Sequence, residues 1–205
     1  MRTPWIVGVS GASGTPYAAA VLRALIAAGE AVDLVVSRAA RLTILDETGL
    51  AFRDAHWTDD LEAWLGAPVE GADVRYWPAG DLAAGPSSGS YPAAGMIVVP
   101  ASTAACAGIA LGLSKDLLQR AAEVNLKERR PVVVVPRETP VTRSHLLHLV
   151  ELIDSGAVVL PASPGFYGMG AKASSDRLID FVAGKILDAV GVKHDLLTRW
   201  TGERT

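Results

Sequence analysis

The chain has 205 residues, half of them apolar, with 19 Lys and Arg against 22 Asp and Glu for a net charge of −3. That length suits one well-buried domain with no need of a second, and the slight acidity argues against a general nucleic-acid binder. Mean hydropathy is high at +0.28, yet no run approaches the roughly 18 apolar residues of a membrane span, so the surplus points to a large buried fraction and to oligomer interfaces.

Residues 5–9, Trp-Ile-Val-Gly-Val, read as the first strand, and a strand beginning at about Trp5 leaves no room for a signal peptide. The strand runs into Ser10-Gly11-Ala12-Ser13-Gly14. Glycines at 8, 11 and 14 stand three apart, which is not the dinucleotide fingerprint. The turn instead offers Ser10, Ser13 and Thr15 hydroxyls ahead of a helix over 15–28 that stops at Gly29. Such a helix start is either an anion site suited to one phosphate or a tight turn closed by a serine cap. Val32–Val36 is a second strand; it leaves through Ser37 into a helix over Arg38–Thr48, stopped by Gly49. Glu47 lies beside Asp46 in that helix's last turn, where the macrodipole disfavours negative charge, and a plain surface acid would look the same.

A short helix over 59–65 and a short strand over Val74–Trp77 follow. Residues 78–95, rich in Gly, Ser and Pro, are either a mobile lid or a surface connection. Met96–Val99 runs into Pro100-Ala101-Ser102-Thr103 and a helix over 103–111. The next helix, over 116–128, carries Arg120 and Lys127, seven apart and so on nearly one face; Arg129, Arg130, Arg137 and Arg143 continue the cationic run. The most informative stretch is 131–140, Pro-Val-Val-Val-Val-Pro-Arg-Glu-Thr-Pro. Four valines without alternation mark a strand buried on both faces. Pro136 ends its ladder, delivering Arg137 and Glu138 to the carboxyl end, where open α/β sheets bind ligands. A helix over 142–155, a strand over 157–160 running into Pro161–Tyr167, a helix over 174–190 and a tail over 191–205 complete the chain.

This alternation predicts an α/β, Rossmann-like, doubly wound and mainly parallel sheet in three αβα layers, one domain over 1–205 without repeat or linker. Three hydroxyl-bearing strand exits, at Ser10–Ser13, Ser37 and Ser102–Thr103, suggest a mononucleotide more than a dinucleotide. The single Cys106 excludes an internal disulfide framework and suits a reducing cytoplasm. No metal is expected: His56, His145, His148 and His194 lack cysteine or carboxylate partners at a ligand spacing.

Gly11-Ala-Ser-Gly14 with Tyr17, Ser37-Arg-Ala-Ala40, Glu47-Thr48, Pro100-Ala-Ser-Thr103 and Leu118-Gln-Arg-Ala-Ala122 together resemble the flavin prenyltransferase (UbiX-like) family. So do Leu126-Lys-Glu-Arg-Arg-Pro131, Val135-Pro-Arg-Glu-Thr-Pro140, Pro161-Ala-Ser-Pro-Gly-Phe-Tyr167 and Leu197-Thr-Arg-Trp200. The glycine motif alone is weak, whereas Lys-Glu-Arg-Arg-Pro, Pro-Arg-Glu-Thr-Pro and Pro-Gly-Phe-Tyr in this order are specific. The resemblance implies a homo-oligomer, typically a dodecamer, that binds FMN between subunits. It also implies transfer of a dimethylallyl group from dimethylallyl monophosphate to N5 and C6 of reduced FMN without a metal. The prenylated FMN would serve a separate UbiD-type decarboxylase.

Carried over residue by residue, Lys127, Arg137 and Tyr167 would hold the donor phosphate and Glu138 would protonate it. Glu47 would take the proton lost from flavin N5, and Ser13 would lie close to the reacting ring. Gly11, Ala12, Ser37, Ser102, Thr103 and Arg120 would bind FMN, and Trp200 would face the allyl cation. Lys185 stands where the family often has Arg, so it keeps a phosphate-binding charge but loses the bidentate fork. Ala101-Ser102-Thr103 replaces the family's Cys-Ser-Thr and keeps the hydroxyls. An FMN-dependent cysteine decarboxylase of the same fold would want a Pro-x-Met-Asn-x-x-Met clamp where this chain has Pro136-Arg137-Glu138-Thr139-Pro140. A non-catalytic flavin carrier would have no use for Lys127, Arg137, Glu138 and Tyr167 together.

Overall fold

Apolar strands without alternation are stable only with both faces covered, and the computed structural model, which describes residues 2–166 and 174–197, meets that demand. Among the described residues the strands are β1 (Trp5–Val9), β2 (Val32–Val36), β3 (Val74–Pro78), β4 (Gly95–Ala101), β5 (Val132–Pro136) and β6 (Val158–Val159). The helices are α1 (Thr15–Ala27), α2 (Arg38–Thr48), α3 (Trp57–Leu65), α4 (Thr103–Ala110), α5 (Leu117–Lys127), α6 (Arg143–Asp154) and α7 (Ser175–Ala189). The strands form one sheet in the order β3-β2-β1-β4-β5-β6, and every pair is parallel.

Alternation along each strand splits the core into two layers. Val7, Val9, Leu34, Val133 and Val135 pack with α1, α2, α3 and α7. Ile6, Val35, Val98, Val132 and Val134 pack with α4, α5 and α6. The expected three-layer, doubly wound architecture is what the chain adopts. One element is shorter than its pattern: β6 keeps two residues, because it is an edge strand and Val158 is half exposed.

Each helix that leaves the carboxyl edge of β2 or β4 begins with a serine cap, Ser37 for α2 and Ser102 for α4. The Val99–Pro100 and Thr139–Pro140 peptides are cis. At the opposite edge Met96 N donates to the Pro131 carbonyl at 2.8 Å, closing the start of β4 on the start of β5. A Cβ on Gly95 would stand 2.4 Å from that carbonyl oxygen and 2.6 Å from the Trp5 ring. Gly95→Ala is therefore expected to destabilise the fold by about 1–3 kcal/mol, read as a lower urea midpoint with an unchanged denaturant slope.

Candidate active site

The strand order reverses between β1 and β4, and that switch point opens a crevice outside the carboxyl ends of the strands. Its floor is stitched by Ser10, whose Oγ donates to the Pro100 carbonyl at 2.8 Å and accepts from Ser102 N at 2.7 Å. Ser10 is buried and spent on the fold rather than offered to a ligand. Gly11 lets the first turn lie against α2, since a Cβ there would come within 2.5 Å of the Ala39 Cβ. The Gly11-Ala12-Ser13 turn thus abuts the helix start capped by Ser37. Ser37 Oγ accepts from Ala40 N and Ser102 Oγ from Ala105 N, both at 3.1 Å. Each capping hydroxyl keeps its own proton to donate.

Glu47 reaches from the end of α2 to the start of α1. Its Oε1 accepts from Gly14 N at 2.8 Å, and its Oε2 accepts from Thr15 N at 2.8 Å and Thr15 Oγ1 at 2.7 Å. Gly14, the N-cap of α1, has φ 111° and brings no capping side chain, so an acid from another helix satisfies the orphan amides. The unfavourable end of its own helix dipole is offset by the favourable end of α1. Burial pushes the Glu47 carboxyl up, but hydrogen bonds from the Thr15 and Ser13 hydroxyls and the Gly14 and Thr15 amides outweigh it and hold it below the ordinary value. The anion at this helix start is therefore a built-in carboxylate. The amides that the sequence offered to a phosphate are already in use.

Beside Glu47 lies an open cavity of about 360 Å³, lined by Ser13, Tyr17, Glu47, Arg137 and Ile179. Arg137 follows β5, its backbone N donating to the Ala101 carbonyl at 3.3 Å. Its Nε is buried without a hydrogen-bond partner, an unspent donor suited to an anionic or carbonyl oxygen. Burial pushes the Tyr17 phenol up against the opposing pull of Arg137, keeping it a neutral donor. Tyr17 forms a wall of the cavity because it stands in the first turn of α1. Thr103 and Glu138 line a second, mostly apolar cavity of about 160 Å³ with Cys106, His145 and Leu149. Glu138 is exposed and accepts from Thr139 N at 3.0 Å.

The remaining expected residues lie elsewhere. α5 runs antiparallel to the strands, from Leu117, bonded to the Ala79 carbonyl beyond β3, down to the turn that starts β5. Lys127 is thus at the amino edge and Glu138 at the carboxyl edge, separated by about 13 Å of strand. Arg120 Nε donates to the Ser87 carbonyl at 3.1 Å and its Nη1 pairs with Glu123 at 3.1 Å. The loop over 78–95 runs from the carboxyl end of β3 to the amino end of β4 and packs on the cations of α5 and the turn after it. Lys185 projects outward from α7, 3.8 Å from Asp188. Tyr167 and Trp200 lie outside the described residues. Among the described residues no cluster of His, Cys, Asp and Glu could hold a metal ion, and no helix is long and apolar enough to cross a membrane.

Residues 1–187 match the family model described as Flavoprotein. The flavin prenyltransferase UbiX of Streptomyces coelicolor is 66% identical over 209 aligned residues, which cover 98% of this chain and 96% of that protein. Among solved structures, AnUbiX (PadA1) in complex with FMN and dimethylallyl pyrophosphate is similar at a TM-score of 0.86 and 36% identity, over 100% of both chains. A dodecameric FMN-dependent UbiX-like decarboxylase from Escherichia coli O157:H7 is similar at a TM-score of 0.83 and 36% identity, over 98% of this chain and 100% of that one.

Because the folded Glu47 carboxyl is held below its unfolded value of 4.5, its stabilisation is present above about that pH and is lost as pH falls through the lower folded value. Glu47→Gln is expected to lower stability at neutral pH by about 1 kcal/mol. Urea midpoints of the two proteins should converge as the pH is taken below about 4; a gap independent of pH would mean that the charge contributes nothing.

Proposed function

The chain belongs to the flavoprotein family and, within it, to the flavin prenyltransferases, and from that premise we propose that it transfers a dimethylallyl group from dimethylallyl monophosphate to N5 and C6 of reduced FMN. The observation that carries this reading is one cavity that pairs an ionised, fully hydrogen-bonded Glu47 with the buried, unspent Nε of Arg137. Reduced FMN, when bound, supplies the two nucleophilic ring positions. The residues present suit it: Ser37, Ser102 and Thr103 have hydroxyl protons to give to the ribityl chain and phosphate, the Gly11-Ala12-Ser13 turn has a bare backbone, and Arg120 is a cation for the ring's carbonyl side.

The chain's own chemistry divides into two tasks. Departure of an allylic phosphate without a metal needs several charge-assisted hydrogen bonds at once; we assign these to Lys127, Arg137, Tyr167 and Lys185, with Glu138 giving the proton. The apolar, developing cation needs an aromatic face, assigned to Trp200. The proton released at N5 goes to a Glu47 carboxylate oxygen. A carboxylate so well hydrogen-bonded is a weak base, so proton uptake requires one donor to turn away. Ser13, exposed at the mouth of the cavity, is the donor best able to do so.

A set that includes Lys127 at one end of β5 and Glu138 at the other works together only across subunits. The half-exposed Leu146, Leu147, Val150 and Ile153 on α6 supply an apolar face for such contacts, and a homododecamer is the assembly proposed. The product is passed to a UbiD-type decarboxylase, and the reaction is placed in the cytoplasm. The sequence Pro136-Arg137-Glu138-Thr139-Pro140 supports prenyl transfer over cysteine decarboxylation, and the catalytic acids and cations together speak against a mere carrier.

Anaerobic incubation of the protein with reduced FMN and dimethylallyl monophosphate should release a flavin heavier by one C5H8 unit in mass spectrometry. Unmodified flavin despite tight binding would refute the reading, and turnover only with the pyrophosphate would correct the donor. Glu138→Gln should leave FMN affinity intact and slow transfer by about 10²–10⁴-fold; undiminished turnover would remove Glu138 from the proton step.

A further inference from the structure

Asp33 is the most deeply buried carboxylate among the described residues, fully enclosed on β2 between apolar neighbours. A charge in such a place persists only when it is paired and hydrogen-bonded. Arg75 Nε stands 2.9 Å from its Oδ1 as an ion pair, but at an angle too poor for a hydrogen bond. The directional contact comes from Tyr91, whose hydroxyl donates to Oδ2 at 2.8 Å. Burial first, and then the hydrogen bond to Asp33, pushes the Tyr91 phenol up to about 12, so it stays a donor at any working pH.

Tyr91 closes the segment 85–91. Its ring leaves no room for a side chain at Gly85, where a Cβ would meet it at 2.5 Å, and it meets Trp77 edge-on at 6.4 Å. Tyr91 N donates to the Ser88 carbonyl and Ser88 N to the Gly85 carbonyl, at 3.2 and 3.0 Å. Held this way, the segment turns its carbonyls to α5 and the turn after it: Ser87 O accepts from Arg120 Nε at 3.1 Å and Gly89 O from Arg130 at 2.8 Å. Lys127 Nζ, which pairs with Glu128, lies so close to Gly89 that a Cβ there would stand 2.6 Å from it. Released from Ser87, Arg120 would fall back on Glu123 alone.

We propose that Tyr91 and Asp33 are positioning residues for prenyl transfer, which fasten the 85–91 segment to the core and thereby set the Arg120 guanidinium and the Lys127 ammonium. The proposal rests on the reading that Arg120 binds the flavin and Lys127 the donor phosphate. It makes an apparently structural contact, at the edge of the sheet away from the crevice, part of the substrate geometry.

The test is a double-mutant cycle on the whole protein, read by FMN titration and by steady-state prenyl transfer. Tyr91→Phe removes one hydroxyl and keeps the ring; it is expected to weaken FMN binding and raise the donor KM by about tenfold, with kcat changed less. Arg120→Lys should weaken FMN binding by itself, and the double variant should be little worse than the more impaired single one. Asp33→Asn, which still offers the Tyr91 hydroxyl an acceptor, should retain most of the affinity even where its melting temperature falls, which a merely structural role would not do. Wild-type FMN affinity and donor KM in folded Tyr91→Phe, or fully multiplicative losses in the cycle, would overturn the proposal. Wild-type FMN affinity in Arg120→Lys would instead sink the role given to Arg120, leaving the donor KM of Tyr91→Phe to decide. Should Tyr91→Phe not fold, Gly85→Ala displaces the same ring with Asp33 untouched and reads the same quantities.

Discussion

Two-sided burial of a parallel sheet is the constraint from which the other features follow. Strands such as Val132–Val135 have no face to give to water, so a helix must cover each side, and each crossover returns the chain to the same edge. All carboxyl ends then gather on one rim. The reversal of winding between β1 and β4 leaves a gap in that rim. Ser10, joining the ends of these two strands, fixes the width of the gap before any functional side chain is considered.

Within the gap the governing force is electrostatic and local. α1 starts at a glycine with no cap of its own, and α2 ends on an acid that its own dipole repels. Each defect cures the other when Glu47 accepts the amides of α1. The result is a carboxylate of fixed orientation and fixed charge at the mouth of a cavity, with an unsatisfied arginine nitrogen across from it. Neither residue is optimal for the stability of its own element. Together they line a polarised space, a hydrogen-bonded carboxylate on one side and a guanidinium on the other.

The strands were legible because apolar runs and Pro or Gly stops depend only on near neighbours in sequence. The helix starts at Ser37 and Ser102 were legible for the same reason. Glu47 was recognisable as odd, but its partner was not, since Gly14 lies 33 positions away across a whole helix and strand. Arg137 and Lys127 look adjacent in sequence, yet the intervening strand carries them to opposite rims. The loop over 78–95 gave no periodic signal, because what orders it is one tyrosine reaching a buried acid 58 positions away. Asp33 within Val-Asp-Leu-Val-Val carried that information in principle: a charge in a strand with no wet face must have a distant partner. The apolar face of α6 follows the 3.6-residue period, but periodicity alone does not say whether a helix face turns to the core or to another subunit.

Cys106 packs in the wall of the apolar cavity beneath Glu138, enclosed by α4 and α6, and burial pushes its thiol up to about 12. At neutral pH the thiol therefore stays protonated rather than present as the reactive thiolate. Reduced flavins meeting dioxygen generate hydrogen peroxide, which converts accessible thiolates to sulfenic acid. A chain that handles such a flavin thus keeps its single sulfhydryl in the protonated form that peroxide attacks most slowly.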